Sequence, residues 1–133
     1  MTTTTPLKIF LVEDSPILRE RLAETMESWG DVQITGHAEA EDEAEVALRD
    51  HPWDVLILDL QLLQGTGMGV LRTLNSHRKP GTVIIVLTNY SIPLYRTRSM
   101  QLGADYFFDK TQEFDRVMEV LTTLRDKPRN AIA

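Results

Sequence analysis

The chain has 133 residues, 42% of them hydrophobic and 26% charged, and no cysteine, which fits one soluble globular domain and excludes a disulfide framework, a thiolate nucleophile and a Cys-held metal. No apolar run approaches the ~20 residues of a membrane span, and Thr2 to Thr5 lacks the basic and apolar parts of a signal peptide, so a cytosolic protein is expected. A net charge of −6 argues against nonspecific nucleic-acid binding.

Residues 1–6 read as a polar, disordered start. Leu7 to Val12, with Lys8 as its one charge, reads as a strand. Ser15 is a good N-cap and Pro16 a good first helical residue. Leu18, Leu22, Met26 and Trp29 then mark one helix face, and Gly30 can end the helix. Val32 to Ala38 alternates and is a weaker strand. A helix from about Glu39 to Arg49 buries Ala40, Ala44, Ala47 and Leu48, and its Glu39, Glu41, Asp42, Glu43 and Glu45 read as a solvated acidic face. Asp54 to Leu58 is a strand whose unbroken Val55-Leu56-Ile57-Leu58 run implies burial on both faces. It stops at Asp59. Val70, Leu71 and Leu74 place the next helix, which ends before Lys79-Pro80-Gly81. Thr82 to Leu87 is a second fully apolar strand, ending at Thr88. A helix from Pro93 to Leu102 ends at Gly103. Tyr106-Phe107-Phe108 is a short strand leading to Asp109-Lys110, and Phe114, Val117, Met118, Leu121 and Leu124 define a final amphipathic helix. Residues 127–133 read as a polar tail, so the domain spans 7–126.

Five βα units imply an α/β fold with one parallel sheet and helices on both faces. The most apolar strands, at Leu7, Asp54 and Thr82, belong at the centre, which gives the doubly wound order 2-1-3-4-5 of flavodoxin-like (βα)5 sandwiches. In such sheets ligands bind at the carboxyl ends of the strands, beside the point where the order reverses. Glu13-Asp14, Asp59, Thr88 and Lys110 all fall at those ends. Three carboxylates near one point repel, by about 4 kcal/mol per pair at ~4 Å and an effective dielectric of 20, and Mg²⁺ would remove the conflict while keeping waters for a phosphate-bearing ligand. An Asp carboxylate can act as a nucleophile towards phosphorus, with a Lys and a Thr hydroxyl holding the phosphoryl oxygens.

These residues, with Gly67 and Gly103-Ala104, make the chain from about Leu7 to Arg125 resemble the receiver domain of two-component response regulators, in its single-domain, chemotaxis-regulator form. The resemblance implies that Asp59 accepts a phosphoryl group from a histidine kinase or phosphotransfer protein. It implies direct Mg²⁺ ligation by Asp14, ligation by Glu13 through water, and completion by Asp59 and the Gln61 backbone carbonyl. It makes Thr88 and Phe107 the switch pair, spacing favouring Phe107 over Tyr106. The helix at Pro93, the strand at Tyr106 and the final helix would form the face controlling a protein partner or a homodimer, with no direct nucleic-acid or membrane contact. No catalysis is expected beyond self-phosphotransfer and autodephosphorylation. A helix-turn-helix output module has no room after the last helix, so output would run through protein contacts, or the chain is a receiver cut from a longer regulator.

The sequence departs from the family pattern at four places. Thr111 follows Lys110 where Pro with a cis bond is usual, and a cis bond before a non-Pro residue costs ~3 kcal/mol. Leu63, Asn89 and Thr66 stand where Pro, a small residue, and an acidic or Asn residue are common. None touches the acidic cluster. Two rival readings carry less. Gly65, Gly67 and Gly69 look like a phosphate loop of a nucleotide-binding enzyme, but the spacing is GxGxG and neither a Walker Lys nor a ribose-binding acid follows. A receiver-like interaction module that has lost phosphorylation would not need the intact acidic set. Taken singly, Glu13-Asp14 could serve the helix dipole, Thr88 could be a cap, and Lys110 could pair with Asp109 or Glu113. His37, His51 and His77 lack metal-ligand spacing, and Trp29 and Trp53 read as packing residues.

Overall fold

The structure, a computed structural model, describes residues 5–127. The expectations for residues 1–4 and 128–133, most of the frayed start and the polar tail, lie outside the described residues. Five βα units follow one another: β1 (Leu7–Val12), α1 (Pro16–Glu27), β2 (Val32–Ala38), α2 (Glu41–Asp50), β3 (Val55–Leu58), α3 (Gly67–Asn75), β4 (Val83–Thr88), α4 (Pro93–Gln101), β5 (Tyr106–Asp109) and α5 (Phe114–Asp126). The strands form one parallel sheet in the order β2-β1-β3-β4-β5, as the distribution of apolar strands requires.

Alternation along the central strands builds two cores. Phe10, Val12, Leu56, Leu58, Ile84 and Val86 face α2, α3 and Phe107. Ile9, Leu11, Val55, Ile57, Ile85 and Leu87 face α1, α5 and Phe108. Successive strand side chains point to opposite faces, so adjacent residues feed different cores and no central strand has a solvent face. α1 begins as expected, with the Ser15 hydroxyl accepting from the Leu18 amide and Pro16 at the first turn. It stops at Glu27, two residues short of Trp29, which packs beside the α1–α5 core after the helix has ended. Ala40 is not in α2. It is extended, precedes the helix, and bridges to Gln64. Ala44 and Leu48 are the buried residues of α2.

The alignment of strand ends positions everything else. Val12 pairs with both Ala38 and Leu58, Leu58 with Val86, and Thr88 with Asp109. Beyond those pairs the amide of Asp59 donates to the Val12 carbonyl at 3.0 Å and that of Lys110 to the Thr88 carbonyl at 3.0 Å. The residues that follow the central strands are thereby pinned side by side.

α3 needs a glycine where it starts. A Cβ on Gly67 would press on the backbone carbonyl of Asp59, closer than real Cβ atoms come, and backbone cannot swing aside. Gly67→Ala is expected to lower stability by about 3 kcal/mol, the upper range for overpacking, and to push Asp59 out of place. Chemical denaturation with the slope unchanged would show it; a loss within experimental error would mean that the loop has slack.

Candidate functional site

Glu13, Asp14 and Asp59 offer carboxylate oxygens that all lie within 4.8 Å of one another. They come from two chain segments, the exits of β1 and β3. Lys110, from the exit of β5, reaches between them: its Nζ is 2.7 Å from Asp59 Oδ2 and 2.8 Å from Glu13 Oε1. Asp59 and Glu13 are 5% and 3% exposed, so the pairs are buried, and Asp14 forms the more open edge. The second oxygen of each buried carboxylate is also occupied. Asp59 Oδ1 accepts from the Gln61 amide at 3.2 Å, and Glu13 Oε2 from the Ser15 amide at 3.0 Å.

The electrostatics follow from burial and pairing. Burial pushes the Glu13 carboxyl above its ordinary value, and neighbouring Asp59 adds to that, although Lys110 and the Ser15 amide pull the other way. Burial works against the Lys110 ammonium, but its bonds to Asp59 and Glu13 outweigh it and hold the ammonium above its ordinary value. Both shifts reflect one arrangement, in which excess negative charge is gathered around a single cation.

Thr88 is fully buried, and its Oγ1 accepts from the Tyr90 amide at 3.2 Å. By alternation it continues the face of Ile84 and Val86, the one Phe107 shares. Phe107 is 2% exposed and lies under the Arg96 guanidinium, 5.0 Å from the ring centroid. Its ring is therefore already inside. Tyr106 is 38% exposed and stacks on Phe108, on the opposite side of the sheet. The Lys110–Thr111 bond is trans. Asp109 closes that loop by accepting from the Thr111 and Gln112 amides, and the Ser91 hydroxyl, 2.5 Å away, is the largest influence holding its carboxyl below the ordinary value.

One reading from sequence needs correction. The acidic run from Glu39 to Glu45 is not merely solvated. Glu39 pairs with Arg19 at 2.9 Å, Glu43 accepts from the Glu39 amide, Glu45 takes the Thr73 hydroxyl, and Glu41 accepts from the Thr66 amide at 2.9 Å. The glycine run is explained by the same Glu41. Its side chain lies where Cβ atoms on Gly65 and Gly69 would go, so the loop holds the chain's own carboxylate where a phosphate loop would hold a ligand. Lys110 pairs with Asp59 and Glu13, not with Asp109 or Glu113. The three histidines are exposed. A hollow of about 320 Å³ between Leu60, Gln61, Met68, Tyr90 and Tyr95 is lined by residues that follow Asp59 and Thr88 in the chain, but by none of the five site residues themselves. The larger one, about 560 Å³, lies between the C-terminal ends of α2 and α3 and touches none of the five site residues.

Comparison with known proteins agrees with this geometry. The sequence model of the response regulator receiver domain matches residues 9–122. The photosynthetic apparatus regulatory protein RegA of Cereibacter sphaeroides is 31% identical over 85% of this chain and 60% of its own length. A protein-glutamate methylesterase/protein-glutamine glutaminase of Carboxydothermus hydrogenoformans is 30% identical over 86% of this chain and 34% of its own. The chain thus spans 60% or less of these relatives. Among solved structures, the receiver domain of a NarL response regulator from Mycobacterium tuberculosis superposes with a TM-score of 0.78 at 22% identity, over 92% of this chain and 99% of that one. A Burkholderia pseudomallei response regulator, described with a phosphorylated aspartic acid, a calcium ion and citrate, gives 0.77 at 22% identity, over 90% and 68%. Among the described residues no helix is long and apolar enough to cross a membrane.

Proposed function

The chain belongs to the response regulator receiver domain family, and on that premise we propose that Asp59 accepts a phosphoryl group from a sensor histidine kinase or a phosphotransfer protein. The observation that carries the proposal is the placement of Asp59 Oδ2 at 2.7 Å from Lys110 Nζ within a three-carboxylate cluster. The cluster fits Mg²⁺, which takes hard oxygen donors and retains water at an open edge, and Asp14 is the open member. Asp14 would hold the ion directly and Glu13, whose oxygens face Lys110 and the Ser15 amide, through water. Asp59 and the Gln61 backbone carbonyl complete the set. When bound, the ion neutralises charge on the phosphoryl oxygens.

An Asp59 oxygen attacks phosphorus, the P–N bond of a phosphohistidine breaks, and the imidazole leaves with the bonding pair and regains its proton elsewhere. Lys110 moves from carboxylate to phosphoryl oxygen without leaving the site. Positioning and charge neutralisation are what such a transfer requires. Ile17, three positions past Asp14, and Leu63, four past Asp59, are 78% and 73% exposed and offer apolar surface suited to a protein donor. The chain is a phosphoacceptor, with catalysis limited to self-phosphotransfer and autodephosphorylation.

Output runs through Thr88 and the face of α4, β5 and α5 to a protein partner or homodimer, in the cytoplasm, without direct nucleic-acid or membrane contact. Thr88 Oγ1 would turn from the Tyr90 amide to donate to the phosphoryl. Because Phe107 is already buried, the movement falls on the β4–α4 loop and on Arg96 above the ring. Support for the face lies in α4, where Leu94 and Met100 are 62% and 43% exposed and only Ser99 is buried. Amide spectra with Mg²⁺ and beryllofluoride, a phosphoryl mimic, test both halves. Shifts at Asp59, Thr88 and Lys110 that spread over residues 92–120 are expected. A response confined to Glu13, Asp14 and the Asp59 loop would overturn the switch face, and no response at Asp59 would overturn the acceptor.

A further inference from the structure

We propose that Arg19 is a positioning residue for the acidic site, a role that rests on the phosphoacceptor reading above. Arg19 lies on α1, outside the carboxylate cluster, with its side chain 14% exposed. Its Nη1 donates to the backbone carbonyl of Glu13 at 2.7 Å, and its Nη2 to Glu39 Oε1 at 2.9 Å. Glu13 is where β1 leaves the sheet: its amide is held by the Ala38 carbonyl, and Arg19 holds the carbonyl on the other side. The peptide joining Glu13 to Asp14 is therefore fixed by one guanidinium.

The other arm reaches the Asp59 loop. Glu39 places its carboxylate on Arg19 while its backbone carbonyl accepts from the Leu63 amide at 2.9 Å. Leu63 is four residues past Asp59. The same loop is stitched again where the Glu41 amide donates to the Gln64 carbonyl at 2.9 Å and the Thr66 amide to Glu41 Oε1 at 2.9 Å. Arg19 thus holds the Glu13 end directly and the Asp59 loop through Glu39, adding a brace beyond the sheet edge to the bond between the Asp59 amide and the Val12 carbonyl.

The chemistry asks for arginine. The guanidinium is a rigid planar fork whose two nitrogens donate in fixed directions, whereas a lysine is a point charge on a flexible stem. A lysine at position 19 could keep the charge beside Glu39 but could not brace a carbonyl and a carboxylate together. If Arg19 served only as a surface ion pair, charge alone would suffice.

The test compares wild type, Arg19→Lys, Arg19→Ala and Glu39→Ala as the whole chain. Mg²⁺ affinity is measured by calorimetry, and hydrogen exchange at Leu63 is followed in metal-free protein. Supporting groups of this kind govern metal affinity by about 10–100-fold, so a loss of about tenfold is expected for Arg19→Ala, with faster exchange at Leu63. Arg19→Lys should recover little of either, and Glu39→Ala should reproduce the exchange effect while leaving part of the affinity. Affinities within about twofold of wild type in both Arg19 variants, or full rescue by lysine, would overturn the role. If Arg19→Ala does not fold, Glu39→Ala decides: unchanged exchange at Leu63 overturns the brace. Wild type that binds no Mg²⁺ at all would instead refute the site reading itself.

Discussion

Incubated with a small phosphodonor and Mg²⁺, the protein is expected to gain one phosphoryl group by intact mass, and Asp59→Asn to gain none. The expectation rests on topology as much as on chemistry. β3 lies between β1 and β4 in the sheet, so the residue that follows it neighbours both the carboxylates leaving β1 and the Thr88 hydroxyl ending β4. Glu13 and Asp14 share only the first of those neighbours. A phosphoryl on Asp59 would meet Lys110 Nζ, which is 2.7 Å from Oδ2, and the Thr88 side; one on Asp14 would stand at the open edge, away from Thr88. Asparagine has nearly the same shape and keeps the acceptor oxygen for the Gln61 amide, but its neutral amide is no nucleophile towards phosphorus. The loss should therefore be complete while the fold persists, as circular dichroism would verify. A variant that still gains the mass would move the acceptor elsewhere in the cluster.

Most of this site was readable from sequence because its signals are local. An apolar run that ends at a carboxylate, as in Val55 to Asp59, places that carboxylate at a strand exit, and the βα alternation fixes which exits are neighbours. What escaped were the relations between side chains of different segments. Nothing in the sequence says that Lys110 chooses Glu13 as a second partner, 97 positions away in the chain, or that Glu13 is buried and Asp14 is not. Position alone suggested three mutually repelling carboxylates awaiting a metal; the structure shows part of that repulsion already neutralised by the ammonium. The acidic run before and within α2 read as solvated because charge on a helix surface usually is, yet Glu41 packs on Gly65 and Gly69. The missed signal was the glycine pair itself, since two small residues facing one helix start imply something large lying against them. Spacing singled out Phe107 over Tyr106, and only the packing shows that its ring is already inside while Tyr106 is half-exposed.

The partnership of Lys110 with two buried carboxylates leads to the last expected result. In metal-free buffer, Lys110→Met should destabilise the protein by about 3–5 kcal/mol, the cost of leaving a buried charge without its partner. Methionine keeps much of the stem's volume, so little of the loss is packing. Glu13 and Asp59 would be left facing each other, with Asp14 within 4.8 Å. The loss should depend on pH in a definite direction. Burial already raises the Glu13 carboxyl above its ordinary 4.5, and Lys110 is among the influences that lower it, so removing Lys110 raises it further. A carboxyl raised in the folded state binds its proton more tightly there than in the unfolded chain, so its contribution to stability falls as pH rises through the interval above 4.5. Metal-free Lys110→Met should accordingly lie closer to wild type near pH 5 than near pH 7.5. Adding Glu13→Gln should recover part of the loss at the higher pH by removing one of the stranded charges. Mg²⁺ should recover more, by about 2.7 kcal/mol at a hundred times its dissociation constant. Urea denaturation at the two pH values, with chelator and with Mg²⁺, reads all three effects. If metal-free Lys110→Met is as stable as wild type near pH 7.5, the ammonium is not what holds these carboxylates together, and the electrostatic account of the site fails with it.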